Sequence, residues 1–404
     1  MASFLQFLPL FLSSLFLFCR ISLAQNSPFL LPVTKDDSTS LYLTTLSYGT
    51  PLSPTSLVVD LNSHSIWVDC TFRDAPSGTM QIVPRRSIPC LAAKTHEMET
   101  SKDSVRGREY LIFPENREIP GEGKLVQDVV ALQESTASKI QLLFACSPSL
   151  QLNGAKGMIG LGRARTSLAS QIFSSFNTQR KFTLCLSSSS GAVLFGNPGA
   201  EISRSLTFTP LATSQSQEHP SSEYFINVKS IKINGKKLSL SSFLRSQDHG
   251  RAQLSSVVPY TTLESSTYAT LEKAYAKAAM AMNMTRVASV SPFGLCFGSK
   301  GIENLKSGPH VPVIELVLQS EMVKWRINGR NSMVRVNGEV MCLGFLDGGL
   351  NPRDPIVVGA YQMEDVILQF DLETSMLGFS SSLLIRDSSC SDLNFSYMPK
   401  KSSA

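Results

Sequence analysis

The sequence predicts a mainly β protein built in two halves, with only a few short helices. Short apolar runs of strand length recur between turn signals along most of the chain, and 404 residues exceed what one domain of about 100 to 200 residues usually holds. A third observation is an internal echo. Gly157-Met158-Ile159-Gly160-Leu161-Gly162 in the first half is matched by Ile356-Val357-Val358-Gly359 in the second, each an apolar run ending on a glycine where backbones approach closely.

The strands follow in order. Residues 41–47 precede the turn Tyr48-Gly49-Thr50-Pro51, and residues 56–61, 65–69 and 124–132 complete the strands of the first half's front. Later come 182–187, 192–195, 224–233 closed by Asn234-Gly235, 314–318 and 367–370. One helix is expected over 265–282, where Tyr268, Leu271, Tyr275 and Ala279 share a face and Glu272, Lys273 and Lys277 lie elsewhere. A polar stretch over 212–222, with Ser214, Ser216, His219 and Pro220, reads as the link between halves, and 92–107 reads as a long polar excursion.

Composition excludes several functions. The chain is 42% hydrophobic and 17% charged, which is globular. Its 37 basic against 32 acidic residues give +5, far short of the dense basic stripe that nucleic acid needs, and two Trp offer little base stacking. The glycine run at 157–162 is followed by no Gly-Lys-Ser/Thr and lacks the dinucleotide spacing, so no nucleotide cofactor is expected.

Residues 4–18 are apolar except for Gln6, Pro9 and Ser13-Ser14, and Ser22-Leu23-Ala24 supplies a small-x-small cleavage pattern. A secretory signal over 1–24 is expected rather than a membrane span, which needs about 20 uninterrupted apolar residues. Of the eight Cys, Cys19 leaves with the signal, and none of the rest sits in a Cys-x-x-Cys or His/Cys cluster. No metal site is therefore expected; scattered disulfides in an oxidising compartment are, with at least one thiol free or paired between chains. Asn283-Met284-Thr285 and Asn394-Phe395-Ser396 are glycosylation sequons.

Val58-Val59-Asp60-Leu61-Asn62-Ser63, followed by Ile66-Trp67-Val68-Asp69-Cys70, delivers one carboxylate from an apolar strand into a turn. This resembles the first active-site hairpin of pepsin-like aspartic proteases, Asp-Thr-Gly-Ser with a Trp shortly after. The resemblance extends through Gly160-Leu161-Gly162, Gly359-Ala360-Tyr361-Gln362, Phe370-Asp371-Leu372-Glu373 and Leu377-Gly378-Phe379-Ser380. It implies a bilobal pepsin-like fold with lobes over 25–211 and 212–404.

Catalysis in that family needs two carboxylates, one per lobe, sharing a proton and a water. The second should stand in an Asp-Ser/Thr-Gly motif, yet the chain reads Leu254-Ser255-Ser256-Val257-Val258, so Ser255 stands where that Asp belongs. A hydroxyl without a nearby base does not enter the shared-proton cycle. Leu61 replaces the motif's Thr, Asn62 its Gly, and Phe113 stands where the substrate-covering flap carries a Tyr. Asp60 is thus read as vestigial, with no active catalytic residue.

The spelling Ser255-Ser256-Val257-Val258-Pro259-Tyr260-Thr261-Thr262-Leu263-Glu264 and Phe113-Pro114-Glu115-Asn116 is similar to a plant apoplastic branch. That branch holds xylanase inhibitors, inhibitors of xyloglucan-specific endoglucanases, extracellular dermal glycoproteins and basic 7S globulins. Membership implies a proteolytically inactive fold, and in several members inhibition of secreted microbial glycoside hydrolases. This chain departs from the branch between Cys70 and Cys146, where it is shorter and poorer in Cys, so the target-contacting edge of the first half differs.

The resemblance further implies the disulfides Cys70–Cys146, Cys185–Cys390 and Cys296–Cys342, with Cys90 unpaired. It places Arg386 and Lys306 in loops with which endoglucanase-inhibiting relatives contact their targets; the plainer alternative for Arg386 is a solvated base beside Asp387. The expected partner is a secreted glycoside hydrolase, xylanase or xyloglucan endoglucanase, met by a monomer in the apoplast or cell wall. Two other readings stay open: an atypical aspartic endopeptidase pairing Asp60 with Asp69 or Glu264, and a storage or peptide-binding protein of the 7S globulin kind.

Overall fold

Alternating burial along Phe29–Lys35 and Tyr42–Tyr48 turns one face of each strand into the core. The computed structural model describes residues 29–72, 76–84, 87–94, 111–112, 123–132, 139–147, 152, 154–212, 222–239 and 250–392. The predicted signal, most of the 212–222 link, Phe113 and Asn394 lie outside the described residues.

Mainly β architecture is what the described residues form, as the sequence predicts. Fourteen strands make one large sheet. Its path runs from Thr207–Pro210 through Met376–Phe379, Ile367–Asp371, Lys181–Leu186, Ser190–Phe195, Phe29–Lys35, Tyr42–Tyr48 and Ser53–Asp60. It continues through Gly157–Gly160, Trp67–Val68, Lys139–Cys146 and Gly123–Ala131 to Gln81–Ile82. The late strand Ile367–Asp371 therefore pairs directly with Lys181–Leu186, Phe182 opposite Phe370. Their rings stack at 4.7 Å, and Tyr224 lies 4.6 Å from Phe370.

A five-stranded sheet joins Phe225–Asn227, Arg251–Leu254, Ile356–Val358, Thr261–Leu263 and Phe345–Asp347. A four-stranded sheet joins Lys236–Lys237, Ser230–Ile233, Ile314–Val317 and Lys324–Ile327. The single strand expected over 224–233 is corrected by this arrangement. Val228 N donates to Gly250 O and Lys229 N to Val317 O, so the backbone leaves one sheet and enters the other between those residues.

The expected helix is Ser265–Ala281, burying Tyr268, Leu271, Tyr275 and Ala279, with Met282 as its cap. The sequence missed Leu168–Phe176, a shorter helix whose Ser-rich face masks the period; Ser167 accepts from Ser170 N at its start. It also read 92–94 as the start of an excursion, where they complete the helix Ile88–Lys94. No helix among the described residues is long and apolar enough to cross a membrane.

Three disulfides close, Cys70–Cys146, Cys185–Cys390 and Cys296–Cys342. Cys90 is a free thiol, fully buried in a cluster with Trp67, Val83 and Leu125.

Candidate functional site: the junction of the two halves and the loops beside it

Each half builds its central turn the same way. Ser53–Asp60 runs parallel to Gly157–Gly160, with Asp60 opposite Gly160, and Trp67–Val68 lies antiparallel on the other side of that strand. In the second half Arg251–Leu254 runs parallel to Ile356–Val358, with Leu254 opposite Val358, and Thr261–Leu263 lies antiparallel beyond it. One residue further along this register, Ser255 meets Gly359 as Asp60 meets Gly160.

The glycines are required by close approach. A Cβ on Gly160 would sit 2.2 Å from Ser63 O, and one on Gly359 2.4 Å from Tyr260 C. The internal echo in the sequence is this repeated packing of a turn against a glycine.

The two turns are hydrogen-bonded to each other, one carrying a carboxylate and the other a hydroxyl. Asp60 Oδ1 accepts from Asn62 N at 2.8 Å, while Ser255 Oγ accepts from Val258 N at 3.1 Å. Across the junction, Ser256 Oγ accepts from Leu61 N at 3.0 Å and donates to Val59 O at 2.7 Å. Leu61, fully buried and apolar, has no hydroxyl to return the contact.

Asn62 supplies the second tie instead. Its Nδ2 donates to Leu254 O at 2.9 Å and its Oδ1 accepts from Tyr224 N at 3.2 Å. Val257, at the third place of the Ser255-Ser256-Val257 triplet, packs against the apolar cluster of Val58, Trp67 and Met158 in the first half. Side chains thus cross the junction from both sides. A hydroxyl whose lone pair holds a backbone amide supplies no base for activating water.

Asp69 and Glu264, the two carboxylates weighed as partners for Asp60, are both held locally. Asp69 Oδ1 accepts from Thr71 N at 2.9 Å and Thr71 Oγ1 at 2.6 Å. Its amide donates to Lys156 O, at the far end of the Gly157–Gly160 strand, about 13 Å along it at roughly 3.3 Å per residue. Glu264 hydrogen-bonds Pro355 O at the far end of Ile356–Val358 and caps the Ser265–Ala281 helix, accepting from Ser266 N at 2.9 Å and Thr267 N at 3.1 Å.

Burial works to raise the Glu264 pKa, but the hydrogen bonds from Ser266 and then Thr267 outweigh it and hold the group below its ordinary value. A depressed carboxyl stabilises the fold above its unfolded pKa of about 4.3 and loses that contribution as pH falls through the folded value. Glu264→Ala is expected to cost about 1 kcal/mol at pH 7, the usual worth of a helix cap. Urea denaturation at pH 7 and at pH 2.5 checks this, the gap between variant and parent narrowing at the acid end.

The two loops named from the resemblance are neighbours. Lys306 sits in the turn between Asn304–Leu305 and Gly308–Pro309, a hairpin seated on Arg330, where a Cβ on Gly308 would lie 2.2 Å from Arg330 N. Arg386 ends the short 3-10 helix Leu383–Arg386, and Asp387 follows in the left-handed region at φ 55. Cys390 N and Ser389 Oγ both donate to the buried Asp365, at 3.0 and 2.7 Å, so the segment is fixed where it leaves the loop. Lys306 Nζ lies 2.5 Å from Asp387 Oδ2. The exposed Arg386 guanidinium has no hydrogen-bond or ion-pair partner among the described residues.

Family models described as xylanase inhibitor N-terminal and xylanase inhibitor C-terminal match residues 42–197 and 223–381. The chain belongs to the xylanase inhibitor family. Among its relatives, "Probable aspartic proteinase GIP2" of Nicotiana benthamiana is 42% identical, the match covering 91% of each chain. The solved structure "Crystal structure of edgp" matches with a TM-score of 0.83 at 40% identity, covering 92% of this chain and 98% of that one. Basic 7S globulin from soybean matches with a TM-score of 0.76 at 32% identity, covering 91% and 98%. The fold of this family member is pepsin-like.

Sequence reasoning missed two things at this junction and the loops beside it. Asn62 reads only as a lost glycine, whereas it bonds both Leu254 and Tyr224 of the second half. The Lys306–Asp387 pair joins residues 81 apart and carries no local signal.

Proposed function

We propose that the protein is exported after loss of residues 1–24, has no endopeptidase activity, and binds and inhibits a secreted glycoside hydrolase, a xylanase or xyloglucan endoglucanase. In this reading it works outside the cell, in the apoplast or wall, as two lobes over 25–211 and 212–404. Asn283, exposed just after a helix, and Asn394 carry its glycans. The family name supports the partner class, and three disulfides support an oxidising compartment.

The observation that carries the proposal is the Lys306–Asp387 ion pair beside the unpaired Arg386. Neutralised by Asp387, Lys306 holds one contact loop against the other, and Arg386 is left as the cation presented to a partner. A retaining glycosidase displays two carboxylates about 5 to 5.5 Å apart, and a guanidinium pairs bidentately with such oxygens. Leu305 and Ile385, 43% and 49% exposed on the same two loops, provide apolar contact around it.

Inhibition of a secreted fungal xylanase and of a fungal xyloglucan endoglucanase is the test. Arg386→Ala is expected to weaken inhibition about thirtyfold or more, the scale of a desolvated charge pair that loses one partner, and Lys306→Ala less. Unchanged inhibition by Arg386→Ala overturns the contact assignment.

The proteinase name of the tobacco relative favours a second reading, an acid endopeptidase working through Asp60. Ser255 in the register position of the second carboxylate weighs against it. Pepstatin-sensitive cleavage of unfolded casein near pH 4, lost in Asp60→Asn, would reinstate it. The likeness to basic 7S globulin favours a storage or peptide-binding role, which would gain if neither hydrolase is bound.

A further inference from the structure

The four-stranded sheet of Lys236–Lys237, Ser230–Ile233, Ile314–Val317 and Lys324–Ile327 turns Ile231, Ile233, Ile314, Leu316, Trp325 and Ile327 into the core. Strand alternation then puts the intervening residues on the other face. Across that face the register sets Lys237 opposite Lys232, Lys232 opposite Glu315, and Glu315 opposite Arg326. Lys324 lies one row along, opposite Val317, while Lys236, opposite the core-facing Ile233, and Lys229, just before Ser230, stand exposed at the rim of the sheet rather than on that face.

Among the described residues only two carboxylates, Glu315 and Glu321, answer the four cations of the face and the two lysines at its rim. Glu315 takes Arg326 Nε at 2.9 Å and Lys324 Nζ at 4.0 Å. Glu321 takes Lys232 at 2.5 Å and Lys324 at 3.8 Å. The Lys232 hydrogen bond, with Lys324 and Lys237 beside it, holds the Glu321 carboxyl below its ordinary value. Lys236 and Lys237 are exposed and close no ion pair among the described residues, Lys237 lying near Glu321, and Lys229 reaches Gln319 O. Like charges set directly opposite, as at Lys232 and Lys237, repel; Glu321 offsets part of this, and a bound anion relieves the rest.

We propose that this face binds an acidic polysaccharide, a chain of carboxylate-bearing sugars. The surface is a sheet face, which suits an extended polymer over a small anion. Lysine, a point charge, suits single carboxylates, whereas bidentate phosphate recognition favours arginine, of which the face has one. Trp325 is turned inward, which leaves no aromatic among the described residues of the face for stacking nucleic-acid bases. Met322, 89% exposed at the sheet's turn, stands without the apolar stripe that lying on a membrane requires. The site uses none of the residues assigned to hydrolase inhibition, so the two proposals fail separately.

The mature protein is passed over immobilised non-esterified polygalacturonate, fully methyl-esterified pectin, duplex DNA and anionic phosphatidylserine vesicles, at 50 and 300 mM NaCl. Retention on polygalacturonate at 50 mM, lost at 300 mM, is expected, with weaker retention on the other three. Lys236→Gln with Lys237→Gln is expected to weaken polygalacturonate binding about tenfold or more, each lysine near a charged surface being worth about 1 kcal/mol. The same charge change on the Ser265–Ala281 helix, Lys273→Gln with Lys277→Gln, is expected to leave binding within twofold. Equal loss in the two double variants, or equal retention on esterified pectin, DNA or vesicles, overturns the proposal. Matching melting temperatures establish that both variants are folded.

Discussion

Cys185→Ala combined with Cys390→Ala is expected to lower the unfolding free energy by about 5 kcal/mol. The bridge spans 205 residues, and closing so long a loop removes more freedom from the unfolded chain than either other disulfide does. By comparison, Cys296–Cys342 spans 46 residues and joins positions already opposite each other on paired strands. Locally, the bridge sits in a small cluster with Leu206, Ile367 and Leu383, and Cys390 N is bonded to Asp365. Guanidinium denaturation of parent and variant at equal m-value measures the loss; a difference under about 1 kcal/mol would show that the sheet alone fixes the C-terminal segment. Because Arg386 lies four residues before Cys390, the proposed hydrolase inhibition should be lost in the variant ahead of global unfolding.

Gln362→Leu is the second large effect. This side chain is fully buried. Its Oε1 accepts from Thr261 N and Thr261 Oγ1, both at 2.8 Å, and its Nε2 donates to Asn331 O at 3.0 Å and Gly344 O at 2.9 Å. Leucine preserves the volume and strands four buried polar groups, each costing about 1 to 3 kcal/mol. A loss of at least about 4 kcal/mol is expected, read from thermal and denaturant unfolding. Thr261 Oγ1 also accepts from Gly359 N, so the turn at Ser255 should show faster amide exchange. A loss below about 1.5 kcal/mol would mean that water or a local shift re-satisfies the site.

Much of the fold is legible because its residues answer to local rules. Gly160 and Gly359 stand where a side chain cannot, and Trp67, Leu61 and the 265–281 stripe are apolar at strand or helix period. What stayed hidden depends on partners distant in sequence. The chain changes sheet at Val228 because Gly250 and Val317 offer the acceptors there, and neither is visible from residues 224–233. Leu168–Phe176 is too short for its period to stand out among serines. At the site, the substitution of Ser255 is readable letter by letter, while the roles of Asn62 and Asp387 emerge only when the halves and loops are brought together.

The joining of Ile367–Asp371 to Lys181–Leu186 inside one sheet has a consequence for dissection of the molecule. Cutting the chain in two near residue 212 and producing each piece alone would bare an apolar strand edge on both fragments, an open template for further strands to add to. Such fragments should precipitate when made separately and recover solubility when refolded together, so the natural unit for truncation is the whole described span.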